Sequence, residues 1–304
     1  MVGGVVAALL LGGLGLGLRG HSPTTATAVS VPTVKPTKGH HHVPAHSMLA
    51  SGVFATPFAT PFAKAVASSC PMSLSPRPKG PVRKPHCTVL SIGDSLGIEL
   101  GWGLATEFAR SPWINLVQVG KVSTGLTNGW FYNWPKYLNA FLAMYHPSVV
   151  VAFMGANDEQ NFFVNNQLAV FGSAAWHKIY GQQVRLMAAE AARYHATFVW
   201  VGLPVMQATP YGHGINALNN TVATALRHVP GTAYINTEPV LAGPSGQYLT
   251  DAYVNGAHEL LRSGDGIHMD YAGEQVVATF VTEQLDLLFH VHVVPAAPAA
   301  ITKF

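Results

Sequence analysis

Charge is what this sequence has least of. Asp, Glu, Lys and Arg make up 10% of its 304 residues, and 17 basic side chains against 14 acidic ones leave a formal balance of only +3. A chain so poor in charge and 49% hydrophobic is not held open by self-repulsion, which excludes a charge-driven disordered protein. Its Lys and Arg are scattered rather than gathered into a stripe, so nucleic acid is excluded as a partner. Cysteine is nearly absent. Cys70 and Cys87 are the only two, and neither is placed like a catalytic thiol. In an oxidising compartment they can close a loop; two free thiols are the alternative. Internal repeats are lacking as well.

What the chain has in plenty is apolar residues, first in a leader-like run. Val2 to Leu18, "VGGVVAALLLGGLGLGL", is uncharged and resembles the apolar core of a secretory signal, with "ATA" at Ala26 to Ala28 as a cleavage candidate. No Lys or Arg precedes it, and the first basic residue, Arg19, follows it. As a membrane span it stands at the short limit of about 17–25 residues. As a buried helix it forfeits about 0.8–1 kcal/mol at each glycine. Residues 1–28 are therefore expected to be a signal peptide or membrane anchor, with export to the periplasm, cell envelope or medium favoured. Residues 29–86, rich in Pro, Ala, Thr, Ser and His without periodicity, read as a disordered linker. Its "GHHHVPAH" (Gly39 to His46) lacks the fixed geometry a metal needs, and neither metal nor cofactor is expected.

After His86 the texture changes. Five short apolar runs read as strands: "TVLSI" from Thr88, "NLVQV" from Asn115, "SVVVAFMG" from Ser148, "TFVWVGLP" from Thr197 and "TAYIN" from Thr232. Helical patterns occupy about 97–109, 134–145, 173–195, 214–228 and 271–289. Val-rich runs alternating with helices predict a central parallel sheet reached by right-handed crossovers, a three-layer α/β/α sandwich over residues 87–290, with 291–304 as a C-terminal tail. Open sheets of this kind bind ligands beyond the carboxyl ends of their strands. Gly93, Asp94 and Ser95 follow the first run, "GKVSTGLTN" the second and "GANDEQ" the third, while "SGDGIHMDYAG" precedes the last helix.

Those segments hold the parts of an acyl-transfer site. A serine hydroxyl needs a base to take its proton, and the base needs a third group to fix its tautomer. Ser95 fits the nucleophile, His268 the base and Asp265, three residues earlier, the orienting acid. Donors for a developing oxyanion are the Ser95 N–H, a glycine N–H in "STGL" and the Asn157 side chain. Each residue also has a structural reading: Ser95 or Asp94 as a helix cap, Asn157 and Asp158 as a turn pair, Asp265 as a loop residue.

The blocks "GDSL", a glycine-bearing second block, "GAND" and "DGIH", in that order over about Thr88 to Leu288, resemble the SGNH hydrolase superfamily, or GDSL esterases, and within it an exported bacterial branch. The resemblance implies a flavodoxin-like sandwich, Ser95 as nucleophile, His268 as base oriented by Asp265, and Asn157 with a second-block glycine as oxyanion hole. Gly125 is the preferred glycine; Gly120, which ends the second run, is the other. "GDSLG" also satisfies the G-x-S-x-G elbow of α/β-hydrolases, but the serine here follows the first strand rather than several. Asp94, Trp130 and His213 are further candidates for contact with substrate, and Tyr211 another; the group Trp130, Phe131, Tyr132 and Trp134 is either a sugar platform or core. The reading is an exported serine esterase acting on small acyl groups, O-acetyl above all, of a polysaccharide or cell-wall glycan. An O-acyltransferase and a non-catalytic glycan-binding module are the alternatives. Activity is expected to fall below about pH 6.5, where an ordinary imidazole is protonated.

Overall fold

The computed structural model describes Cys70 and residues 87–164, 166–207, 212–289, 291, 293 and 301–302. The leader, most of the linker with its histidine tract, and Tyr211 lie outside the described residues. In chain order the elements are β1 (Cys87–Gly93), α1 (Ser95–Phe108), β2 (Ile114–Gly120), α2 (Trp134–Tyr145), β3 (Val149–Phe153), β4 (Phe162–Val164), β5 (Gln167–Ala169), α3 (Ala174–Arg193), β6 (Thr197–Val201), α4 (Ile215–Leu226), β7 (Thr232–Ile235), β8 (Asp251–Val254), β9 (Ala257–Leu260), α5 (Tyr271–Phe289) and β10 (Ile301–Thr302).

The five anticipated strands form one parallel sheet in the order β2-β1-β3-β6-β7. β3 and β6, "VVVAF" and "TFVWV", are buried at every position, as expected where β-branched residues are covered on both faces. β2 is an edge strand and buries far less. α1 packs against α5, while α3 lies between α2 and α4, which gives the two helical layers. The sheet is extended first on one side of β1 and then on the other, so the crossover direction reverses between β1 and β3. Loops leaving those two strands diverge there and open a crevice.

Local chemistry sets the helix ends. Asn133 Oδ1 accepts from Lys136 N at 3.0 Å and a proline sits in the first turn of α2, which ends in the left-handed His146 (φ 44). Ser173 caps α3 in the same way. Trp134, Trp176, Tyr180 and Trp200 are fully buried and account for much of the core volume.

Two small antiparallel units escape the sequence reading, a β4–β5 hairpin and the sheet β10-β8-β9. The second had a signal: Asn255 and Gly256, both at positive φ (53 and 83), make the two-residue turn between β8 and β9. The segment expected as a tail also returns to the fold. Val291 and Val293 are buried, and β10 pairs with β8. Cys70 and Cys87 are joined as a disulfide with Cα atoms 4.7 Å apart, so the fold begins before residue 87.

Candidate active site

The crevice holds the predicted constellation. Ser95 is the first residue of α1, directly beyond β1. Its Oγ lies 2.7 Å from His268 Nε2, and His268 Nδ1 lies 2.5 Å from Asp265 Oδ2. Asp265 Oδ1 accepts from the backbone N–H groups of Ile267 and His268 at 2.9 and 3.0 Å. Burial works against the Asp265 charge, but the His268 ring and those two N–H groups outweigh it and hold the carboxyl at about 2. The acid is therefore ionised at neutral pH and stands where it can hold a proton on His268 Nδ1, an arrangement that turns Nε2 toward Ser95 Oγ as an acceptor. Gly266, at φ 73, makes the turn that lets Asp265 fold back on His268.

Two charged residues that sequence reasoning passed over hold the histidine loop from beneath. Arg262, 1% exposed, donates from Nη1 to Val205 O (2.6 Å), from Nη2 to Ile267 O (2.7 Å) and from Nε to His268 O (3.3 Å). Its guanidinium lies 4.9 Å from the Tyr248 ring. Glu99, one helical turn after Ser95, is buried and accepts from Met269 N at 3.0 Å. Burial raises the Glu99 carboxyl to about 7 against the pull of that N–H and of His268. The only hint in the sequence was a charge at each position in a chain with few.

Asp94, a candidate for contact with substrate, faces into the fold instead. It is fully buried: Oδ1 accepts from Leu96 N at 3.0 Å and caps α1, while Oδ2 accepts from Gly155 N at 3.0 Å and, weakly, from Asn157 Nδ2 at 3.4 Å. It joins the loops after β1 and β3. Burial pushes its carboxyl up to about 6, with Asp158 adding to the rise and the Gly155 N–H opposing it.

The oxyanion assignment also changes. The Gly125 N–H is already donated to Asn128 Oδ1 at 2.8 Å inside the fold, and Asn128 Nδ2 donates in turn to Ser123 O at 2.9 Å. This side-chain clamp holds a loop in which Ser123 has φ 59. Gly125 is glycine for another reason: a Cβ there would stand 2.1 Å from Asp158 Oδ1. Asp158 closes the turn anticipated for Asn157 and Asp158, its N–H donating to Gly155 O at 2.9 Å, and its buried side chain, bonded by Leu126 N, Thr127 N, Thr127 Oγ1 and Tyr180 Oη, is also the anchor of the second block. Gly120 pairs with Gly93 at the end of β2. Two anticipated donors keep suitable placement. Ser95, as the first residue of α1, has no intrahelical acceptor for its N–H. Asn157 is half-buried, with one Nδ2 hydrogen on Thr124 O at 3.0 Å and the other on the long contact to Asp94.

The aromatic group divides. Trp134 is core and donates from Nε1 to Thr124 Oγ1 at 3.0 Å; Tyr132 stacks on Tyr137; Trp130 is 88% exposed. His213 is exposed on the loop before α4, where the next N–H, of Gly214, donates to Glu159 at 3.0 Å. Neither Trp130 nor His213 shares a hydrogen bond with the triad among the described residues. No group of three or more His, Cys, Asp or Glu suited to a metal occurs there either.

A family model described as "Protein of unknown function (DUF459)" matches residues 88–284. The chain belongs to this family. Its match runs from β1 into α5 and takes in all four blocks, with Ser95, Asp265 and His268. No curated protein matches the sequence. Among solved structures, the chain is similar to an alpha/beta hydrolase enzyme from the metagenome of Lake Arreo, Spain (15% identity, 69% of this chain and 98% of that one, TM-score 0.48). It is similar also to a carbohydrate esterase family 3 protein from Talaromyces cellulolyticus (13%, 67% and 98%, 0.45) and a GDSL-like lipase from Bacteroides thetaiotaomicron (13%, 66% and 88%, 0.45).

Proposed function

We propose that this DUF459 protein is an exported serine esterase that removes small acyl groups, O-acetyl above all, from a glycan. The observation that carries the reaction is the continuous relay from Ser95 Oγ through His268 to Asp265. His268 Nε2 takes the hydroxyl proton as Oγ attacks the ester carbonyl carbon. The resulting oxyanion takes the Ser95 N–H and the Asn157 Nδ2 hydrogen that now rests on the long Asp94 contact. Collapse releases the alcohol, protonated by His268, and leaves an acyl group on Ser95. Water, giving its proton to His268, then releases the acid. Export is supported by the leader-like run and the Cys70–Cys87 disulfide; the glycan class is supported by that export and by the SGNH resemblance.

The purified protein should hydrolyse p-nitrophenyl acetate, and Ser95→Ala should lower kcat by on the order of 10⁴–10⁶. A fluorophosphonate should label Ser95. Equal rates for the two proteins, or an unlabelled serine, remove the catalytic assignment and leave a binding module. If acetylated acceptor forms faster than free acetate when glycans are supplied, a sugar hydroxyl replaces water in the second step and the protein is a transferase.

A further inference from the structure

Next to the crevice lies a cleft of about 410 Å³, walled by Leu126 and Thr127 of the second block, Gln160 and Asn161 after the third, β4, and Gln183 of α3, with Trp130 among its lining residues. It adjoins the reaction centre through hydrogen bonds. Gln160 Nε2 donates to Asn157 O at 2.7 Å and to Thr127 Oγ1 at 3.1 Å, and Thr127 is held in turn by Asp158. The inner wall of the cleft is thus the unit that places the oxyanion amide.

Its lining is of one chemical kind. No charged side chain and no histidine is among the lining residues. Trp130 is 88% exposed and Phe163 72%, two broad ring faces given to solvent. Around them stand four side-chain amides, Asn133, Gln160, Asn161 and Gln183. Asn133 and Asn161 accept through Oδ1 from Lys136 N and Phe171 N. Their Nδ2 groups, the Gln160 Oε1 and the Gln183 amide have no partner among the described residues.

We propose that this cleft holds the sugar rings of a neutral glycan, with Trp130 and Phe163 against the apolar ring faces and the amides on the hydroxyls. A long acyl chain fits badly, because it would strip water from four amides without replacing their hydrogen bonds, at about 1–3 kcal/mol for each group left unpaired. A uronate or phosphate-bearing chain would find no counter-charge. A neutral sugar offers both an apolar face and hydroxyls that donate and accept. The placing of the ester over Ser95 rests on the esterase reading; the binding of sugar does not.

The test uses the full chain carrying Ser95→Ala, so that nothing is turned over. It is titrated calorimetrically with xylohexaose, cellohexaose and chitohexaose, and with oligogalacturonate and laurate as controls. At least one neutral oligosaccharide should bind, and adding Trp130→Ala or Phe163→Ala should weaken that binding about tenfold. Both side chains are exposed, so these variants should keep the parent's circular dichroism and melting temperature. Absence of binding by all three neutral probes overturns the proposal, as does tighter binding of oligogalacturonate or laurate, or affinity unmoved by both substitutions. Sugar binding by a protein whose wild type turns over no ester supports the cleft and sinks the esterase reading. Ester turnover without sugar binding does the reverse.

Discussion

Arg262 is the residue whose role is least expected from its type. A buried guanidinium usually meets a carboxylate, yet its hydrogen bonds go to three backbone carbonyls, two of them those of Ile267 and His268. Burial lowers its pKa, with the nearby Glu99 and Asp265 opposing. Lysine has a single compact ammonium and cannot reproduce a planar fork aimed at three acceptors. Arg262→Lys should therefore lower kcat for p-nitrophenyl acetate by about tenfold or more, as the imidazole leaves its alignment with Ser95, with little change in KM. Unaltered kcat with a lower melting temperature would leave Arg262 a purely structural residue. Asp94 supplies a second prediction. Its folded value of about 6 against an ordinary 3.8 means that the native state holds the proton more tightly than the unfolded chain. The contribution to stability is then fully present below pH 3.8 and declines as pH rises to about 6, by about 3 kcal/mol. Urea unfolding between pH 4 and 7 should show a decline shallower by about 3 kcal/mol in Asp94→Asn than in wild type, the variant keeping the decline that Glu99, raised to about 7, still causes.

At the scale of elements, the second-block loop is set by contacts from outside itself. Asp158, in the loop after β3, collects four donors, three of them from Leu126 and Thr127. Burial raises its carboxyl despite those donors. Asp158→Asn would turn one acceptor into a donor facing N–H and O–H groups, leaving buried groups unsatisfied at about 1–3 kcal/mol each. The loop should then loosen. Since Asn157 donates to Thr124 O, kcat should fall together with stability, and amide exchange should rise at 123–128. Protection there equal to wild type would show that Asn128 alone holds the loop. The hairpin β4–β5 escaped the sequence reading because three-residue strands carry too little alternation to register, although Phe163 and Leu168 pair across it on one exposed face.

At the scale of the molecule, the Cys70–Cys87 bridge closes a loop across 17 positions, a constraint worth about 3 kcal/mol. It meets the sheet at the start of β1, whereas Ser95 follows its far end, about 20 Å away along the strand. Cys70→Ser should lower the unfolding free energy by about that amount and leave esterase activity at 25 °C intact; lost activity in folded protein would mean that the bridge reaches the crevice. Much of this architecture was determined by the sequence itself. Strand and helix alternation and the bounds of α2 and α5 were legible because apolar period and turn chemistry act between near neighbours in the chain, and the candidates Ser95, Asp265 and His268 stood out because each sits in a short block of its own. The tertiary structure alone decided that Gly125 gives its N–H to Asn128, that Asp94 faces inward, that Asp158 anchors a loop 31 and 32 positions away, and that Glu99 lies under a segment 170 positions later. Burial and hydrogen-bond partnership belong to pairs of groups brought together in space, and no local pattern encodes which pairs those are.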